Sequence, residues 1–166
     1  KNTFIGQRSG GRIVKFDNEN ILFTIGDYSL TLDPPEAQNM NSLYGSLIKI
    51  NLATSEYTIL AKGLRNPQGL FYDNLNNLIL ITDHGPDGGD ELNILNLSKD
   101  NFNNYGWPKS SYGKHYKSTI KKAKSKGNLG LLMKGAPLNK SHENYNFTEP
   151  VKYWSPSIGI SEVYKI

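Results

Sequence analysis

The sequence predicts an all-β chain built of antiparallel blades. Three observations carry this expectation. The apolar runs are short and bounded by turn residues, as at 21–25 and 78–81. Glycine and proline punctuate the intervals, with Gly63, Gly69, Gly85, Gly88, Gly89 and Gly106 beside Pro67, Pro86 and Pro108. Glycine permits close backbone approach and proline removes a donor, so both interrupt regular structure at defined points. The pattern also repeats: residues 13–18 are echoed by 69–74, and 21–27 by 78–84. A period of about 56 residues fits a β-propeller blade with a loop insertion.

Residues 11–27 read as a strand, a turn at Asp17-Asn18-Glu19-Asn20 and a second strand. The apolar run 21–25 fits a strand buried on both faces. Residues 28–44 form a polar loop, where Asp33-Pro34-Pro35 forbids regular structure. Residues 45–60 read as a hairpin, since Ile48 and Ile50 alternate with Lys49 and Asn51. The organising stretch is 63–108: a strand, a tight turn, a second strand, an irregular acidic loop and a third strand. Residues 97–157 show little strand pattern. Within them Lys121, Lys122, Lys124 and Lys126 lack aromatic interleaving and read as a solvated loop or short helix. Residues 161–164 resemble 69–72 and open a third unit. Repeats bury their faces only against neighbours. Residues 1–166 are therefore expected to be one partial domain, about two blades plus the start of a third, with blades missing at both ends.

A chain of 166 residues, 37% hydrophobic and 20% charged, can build a real core. Its net charge of +4 is not organised into a basic face, which argues against nucleic acid as a partner. The absence of cysteine excludes disulfides, thiolate metal sites and cysteine nucleophiles. No apolar run approaches the roughly 20 residues of a membrane span. Asn96-Leu97-Ser98, Asn139-Lys140-Ser141 and Asn146-Phe147-Thr148 match the glycosylation pattern, as an asparagine-rich chain does by chance.

The loop His84-Gly85-Pro86-Asp87-Gly88-Gly89-Asp90-Glu91 gathers three carboxylates and exposed carbonyls, the oxygen ligands a hard cation such as Ca²⁺ prefers. The plainer alternative is a polar glycine-rich turn. Three motifs occur in order: Arg65-Asn66-Pro67-Gln68-Gly69-Leu70, this loop running into Asp90-Glu91-Leu92-Asn93, and Asn104-Tyr105-Gly106-Trp107-Pro108. Together they resemble the soluble glucose/sorbosone dehydrogenase family, six-bladed β-propellers that use pyrroloquinoline quinone (PQQ) and calcium. The resemblance runs from the glycine pair at 10–11 to the segment 153–161 and is thinnest across 109–148.

The resemblance implies roles for matching residues. Arg65 and Asn66 would contact PQQ, and a guanidinium fork suits its carboxylates. Gly85 and Pro86 would offer carbonyls to calcium. Asp27 would partner the catalytic histidine, while Trp154 and Ser157 would lie near cofactor and sugar, the indole placed to stack on either. One departure stands out. The family's histidine, in the pattern H-x-x-G-R, is replaced by Arg8 in Arg8-Ser9-Gly10-Gly11-Arg12. Arginine stays protonated and is a poor general base. His84, which the repeat sets at a place equivalent to Asp27, is the candidate substitute. His115 and His142 read as exposed loop residues.

The expected function is therefore a PQQ-dependent oxidoreductase that oxidises an aldose or similar sugar alcohol group to its lactone with calcium assistance. Its partners would be a small sugar substrate and an external electron acceptor. The alternatives are a non-catalytic propeller that binds a glycan or protein, favoured by Arg8, and a calcium-stabilised structural module. The family's remaining cofactor-binding lysine and arginines are expected beyond Ile166. Export to a bacterial periplasm or outside the cell is implied by the resemblance alone.

Overall fold

A computed structural model describes residues 7–29, 35–127 and 142–165. Two antiparallel sheets account for most of them. The first contains β1 (Gly10–Lys15), β2 (Asn20–Ile25), β3 (Ser46–Asn51) and β4 (Tyr57–Lys62) as a meander, with the two-residue β8 (Asn103–Asn104) added parallel to β4. The second contains β5 (Pro67–Asp73), β6 (Leu78–Asp83), β7 (Asp90–Asn96) and β9 (Lys152–Trp154) in that order. The expected strand pairs, 13–27 and 70–84, thus fall in separate sheets, as adjacent blades require.

Strand alternation supplies the inner face of each blade. Leu22, Leu47 and Ala61 from the first sheet, and Leu64 just past β4, meet Leu70, Ile79, Ile81 and Leu95 from the second, with Tyr105 in the same cluster. Each fully buried leucine or isoleucine contributes about 1.5–3 kcal/mol relative to exposure. The run 21–25 is less buried than expected: only Leu22 and Thr24 are fully covered, and its neighbours are half-buried. One face of β2 packs on the core and the other is partly wet.

The blades are joined by one repeated bond. The Thr24 hydroxyl donates to the Pro67 carbonyl at 3.3 Å, and the Thr82 hydroxyl donates to the Ser161 carbonyl. Ser161 therefore sits on the second blade as Pro67 sits on the first, which places the opening of a third unit. These bonds also correct the register of the repeat. Gly26 N–H donates to Ser9 O at 2.8 Å, and His84 N–H donates to Asn66 O at 3.2 Å. His84 is the counterpart of Gly26 rather than of Asp27. Register shifts near the start of β1 and of β5 break the simple residue count.

The lysine cluster lies on α1 (Lys117–Ser125), whose side chains are mostly exposed, consistent with a solvated helix. His142 is a correction: far from being exposed, it is fully buried, and His115 is half-buried. Asn139-Lys140-Ser141 lies outside the described residues. Among the described residues no helix is long and apolar enough to cross a membrane.

Candidate active site

The strand ends of both blades open onto a cleft of about 640 Å³, lined by Arg8, Arg65, Asn66, His84, Gly85, Pro86 and Ser157 among others. Its floor begins with the turn before β5. Pro67 has no N–H, so the two preceding residues carry the local donors. The N–H groups of Arg65 and Asn66 both point at the Asp83 carboxylate, at 2.8 and 2.6 Å. Asp83 is buried, and that burial pushes its carboxyl up to about 7, against the pull of the two N–H groups and the Arg65 charge.

This turn aims the Arg65 side chain at the loop that follows β6. One terminal nitrogen donates to the His84 carbonyl at 2.7 Å, and the other lies 3.4 Å from the Tyr116 hydroxyl. The residue is only 6% exposed, and its Nε is buried without a partner among the described residues. Burial lowers the Arg65 pKa, and the neighbouring Arg8 charge lowers it further. The Asn66 side-chain oxygen accepts from Gly10 N–H and the Gln68 amide.

Arg8 and Asp27 meet at the other wall. Asp27 is fully buried and accepts from Arg8 at 3.2 Å, from Trp107 Nε1 at 2.6 Å and from Ser29 N–H at 2.9 Å. The guanidinium carbons of Arg8 and Arg65 lie 5.8 and 5.3 Å from the Trp107 ring centre. Trp107 thus anchors both cations, partly through the face of its ring. His84 lines the cleft, but the Asp27 carboxylate is already held by Arg8, Trp107 and Ser29. Asp27 therefore partners Arg8, in the place where the resemblance implies a histidine.

The loop 84–90 is braced by Asp90. Its carboxylate accepts from Gly85 N–H at 3.2 Å, from Ser157 Oγ at 3.0 Å and from the N–H groups of Ile158, Gly159 and Ile160. A Cβ on Gly85 would lie 2.2 Å from the Gly89 carbonyl, so the loop closes only around glycine. The carbonyls of Gly85 and Pro86 take no hydrogen bond among the described residues. Among the described residues no three of His, Asp and Glu stand together as metal ligands there. A cation at this loop would therefore rest on main-chain oxygens. Trp154 belongs to β9 and is not part of the cleft wall; its carbonyl accepts from Gly89 N–H at 2.8 Å.

A buried polar chain supports the loop from beneath. Glu91 meets His142 Nε2 at 3.2 Å, and His142 Nδ1 meets the Ser110 hydroxyl. Tyr112 packs on the same imidazole, 5.1 Å between ring centres. This chain ties β7 to the segments around 110 and 142.

The structure gathers Arg8, Arg65, Asn66, His84, Gly85, Pro86 and Ser157 on one cleft and leaves Asp27 behind it and Trp154 to the side. Asp83 is a residue that sequence reasoning passed over, since nothing local marked it as a brace. Asp90 stood among the three carboxylates of the loop and Trp107 in the 104–108 motif, but their partners, the segment 157–160 and Asp27, were not legible.

A family model described as Glucose / Sorbosone dehydrogenase matches residues 1–166. Aldose sugar dehydrogenase YliI of Escherichia coli strain K12 is 31% identical over 170 residues, covering 94% of this chain and 40% of that protein. The crystal structure of the soluble aldose sugar dehydrogenase of Escherichia coli in its apo form matches at 27% identity with a TM-score of 0.66, over 92% of this chain and 42% of the other. A glucose dehydrogenase crystal structure matches at 27% identity and a TM-score of 0.67, over 92% and 41%. The chain thus spans about two-fifths of the length of the relatives it matches, and its two sheets correspond to neighbouring blades of a β-propeller.

Proposed function

The chain belongs to the glucose/sorbosone dehydrogenase family, and from that premise we propose that it supplies one side of a quinone-dependent sugar dehydrogenase site. The family suggests sugar dehydrogenase activity; PQQ, calcium and the lactone product are this reading's own. The carrying observation is a wide cleft that, among the described residues, holds a buried guanidinium with an unpartnered Nε beside two carbonyls that accept no hydrogen bond. That donor set fits a carboxylate-bearing cofactor next to a hard cation.

Arg65 and Asn66 would hold the cofactor, and the Gly85 and Pro86 carbonyls would face the calcium. When bound, PQQ beside Ca²⁺ supplies a two-electron acceptor for the hydride leaving the sugar. His84 takes the hydroxyl proton, as an imidazole among the described residues of this cleft. Ser157 and the Asp90 brace hold the loop in place. The substrate is a small sugar and the electrons leave to an external acceptor. Export to the periplasm or cell exterior belongs to the same proposal.

The test is the full-length protein reconstituted with PQQ and Ca²⁺, assayed with aldoses and a dye acceptor beside its His84→Ala variant. The expected result is turnover in the parent and a loss of about 10²-fold or more in the variant. Undiminished turnover would remove His84 from the mechanism. A second reading, a binding protein without turnover, is favoured by the Arg8–Asp27 ion pair at the position of the family's base. No turnover from the parent, with ligand binding retained, would support it.

A further inference from the structure

We propose that Arg8 forms a carboxylate-binding subsite in the cleft, so that the sugar ligand is an acid of the uronate type rather than a neutral aldose. The proposal rests on the reading of the cleft as a sugar site and names the class of sugar it takes. Arg8 is held in place by unusual means. Its φ is 59°, in the left-handed region that is strained for a non-glycine residue. Its carbonyl accepts from Tyr28 N–H at 3.3 Å and presses on Gly26. Strain of this kind persists where surrounding structure over-determines it.

The charge pattern then decides what the cleft receives. The Arg8 side chain is 24% exposed, and only one of its terminal nitrogens is engaged, by Asp27. Its other N–H groups have no partner among the described residues. Arg65 adds a second guanidinium to the same cleft, and the Arg8 charge helps to lower its pKa. The nearby acids do not cancel this demand inside the cleft. Asp27 is buried behind the wall and held by three donors, Asp90 is held by Gly85 and by the segment 157–160, and Asp87 is exposed at the rim. The planar guanidinium fork matches a carboxylate, and the Asn66 side-chain amide and the half-buried His84 offer polar contacts for a sugar's hydroxyls.

The experiment is calorimetric titration of the full-length, cofactor-free protein with glucuronate, glucose and glucose 6-phosphate, repeated with Arg8→Gln and Arg8→Lys variants whose melts confirm folding. Glucuronate is expected to bind at least about tenfold tighter than glucose, with the advantage shrinking in high salt. Arg8→Gln is expected to bring glucuronate down to the level of glucose, and Arg8→Lys to keep part of the preference. Equal binding of glucuronate and glucose overturns the subsite, as does a glucuronate preference that survives in Arg8→Gln. Tight binding of glucose 6-phosphate without glucuronate overturns the carboxylate assignment. Cofactor binding is followed separately by the absorbance change on adding PQQ. A protein that ignores PQQ but prefers glucuronate through Arg8 defeats the dehydrogenase reading and leaves this subsite standing.

Discussion

At Gly26 the backbone accepts a hydrogen and nothing larger, because a Cβ there would lie 1.8 Å from the Arg8 carbonyl. Gly26→Ala must therefore move the segment that carries Arg8. The expected cost is about 2–4 kcal/mol in urea unfolding, together with loss of the Arg8–Asp27 pair, the scale of other overpacked core positions. Lys62 makes the opposite kind of demand. It is fully buried, and its ammonium donates to the carbonyls of Glu36, Ser42 and Tyr44 at 3.3, 2.8 and 2.7 Å. Burial still pulls its pKa down to about 8 from the ordinary 10.5. Between those values the unfolded chain binds more protons than the folded one, so stability should rise with pH across that window. Urea melts from pH 7.5 to 10 should show the rise in the parent and a flat profile in Lys62→Met.

The loop after β6 and the segment after β9 behave as one element because a single carboxylate joins them. Asp90 collects Ser157 and the N–H groups of 158–160 on one side and Gly85 N–H on the other. Removing it leaves several part-buried donors without their acceptor. Asp90→Ala is expected to lose about 2–4 kcal/mol and to speed hydrogen exchange at 157–160 before the strands of either sheet. If exchange rose uniformly instead, the brace would not be a local one. The two strands flanking the loop were readable from their alternation and bounding turns. The far side of the brace was not, because Asp90 and the N–H groups of 158–160 lie far apart in the chain and meet only when β7 pairs with β9.

Across the whole molecule, the two sheets bury one shared core and leave large apolar side chains uncovered elsewhere. Ile13, Tyr57, Val151, Ile158 and Tyr164 are 61%, 55%, 62%, 59% and 73% exposed. Blade faces of this kind are normally covered by neighbours. The 166-residue chain by itself is expected to self-associate, with light scattering that grows with concentration and a broad thermal transition. A stable monomer with a sharp cooperative melt would show that these faces need no cover.

Much of this was written locally in the chain. Strand positions, the two-blade repeat, the special glycines and the motif order followed from periodicity and turn chemistry, which act over a few residues. So did the presence of Arg8 where the resemblance implies a histidine, which is a matter of identity at a counted position. What the tertiary structure decided was partnership. It turned His142 inward against Glu91 and Ser110, shifted His84 to the place of Gly26, and gave Asp27 to Arg8 and Trp107. Those outcomes depend on bulges that alter register and on contacts between residues far apart in sequence. Such contacts form only once two sheets have packed together, and no window of sequence contains them.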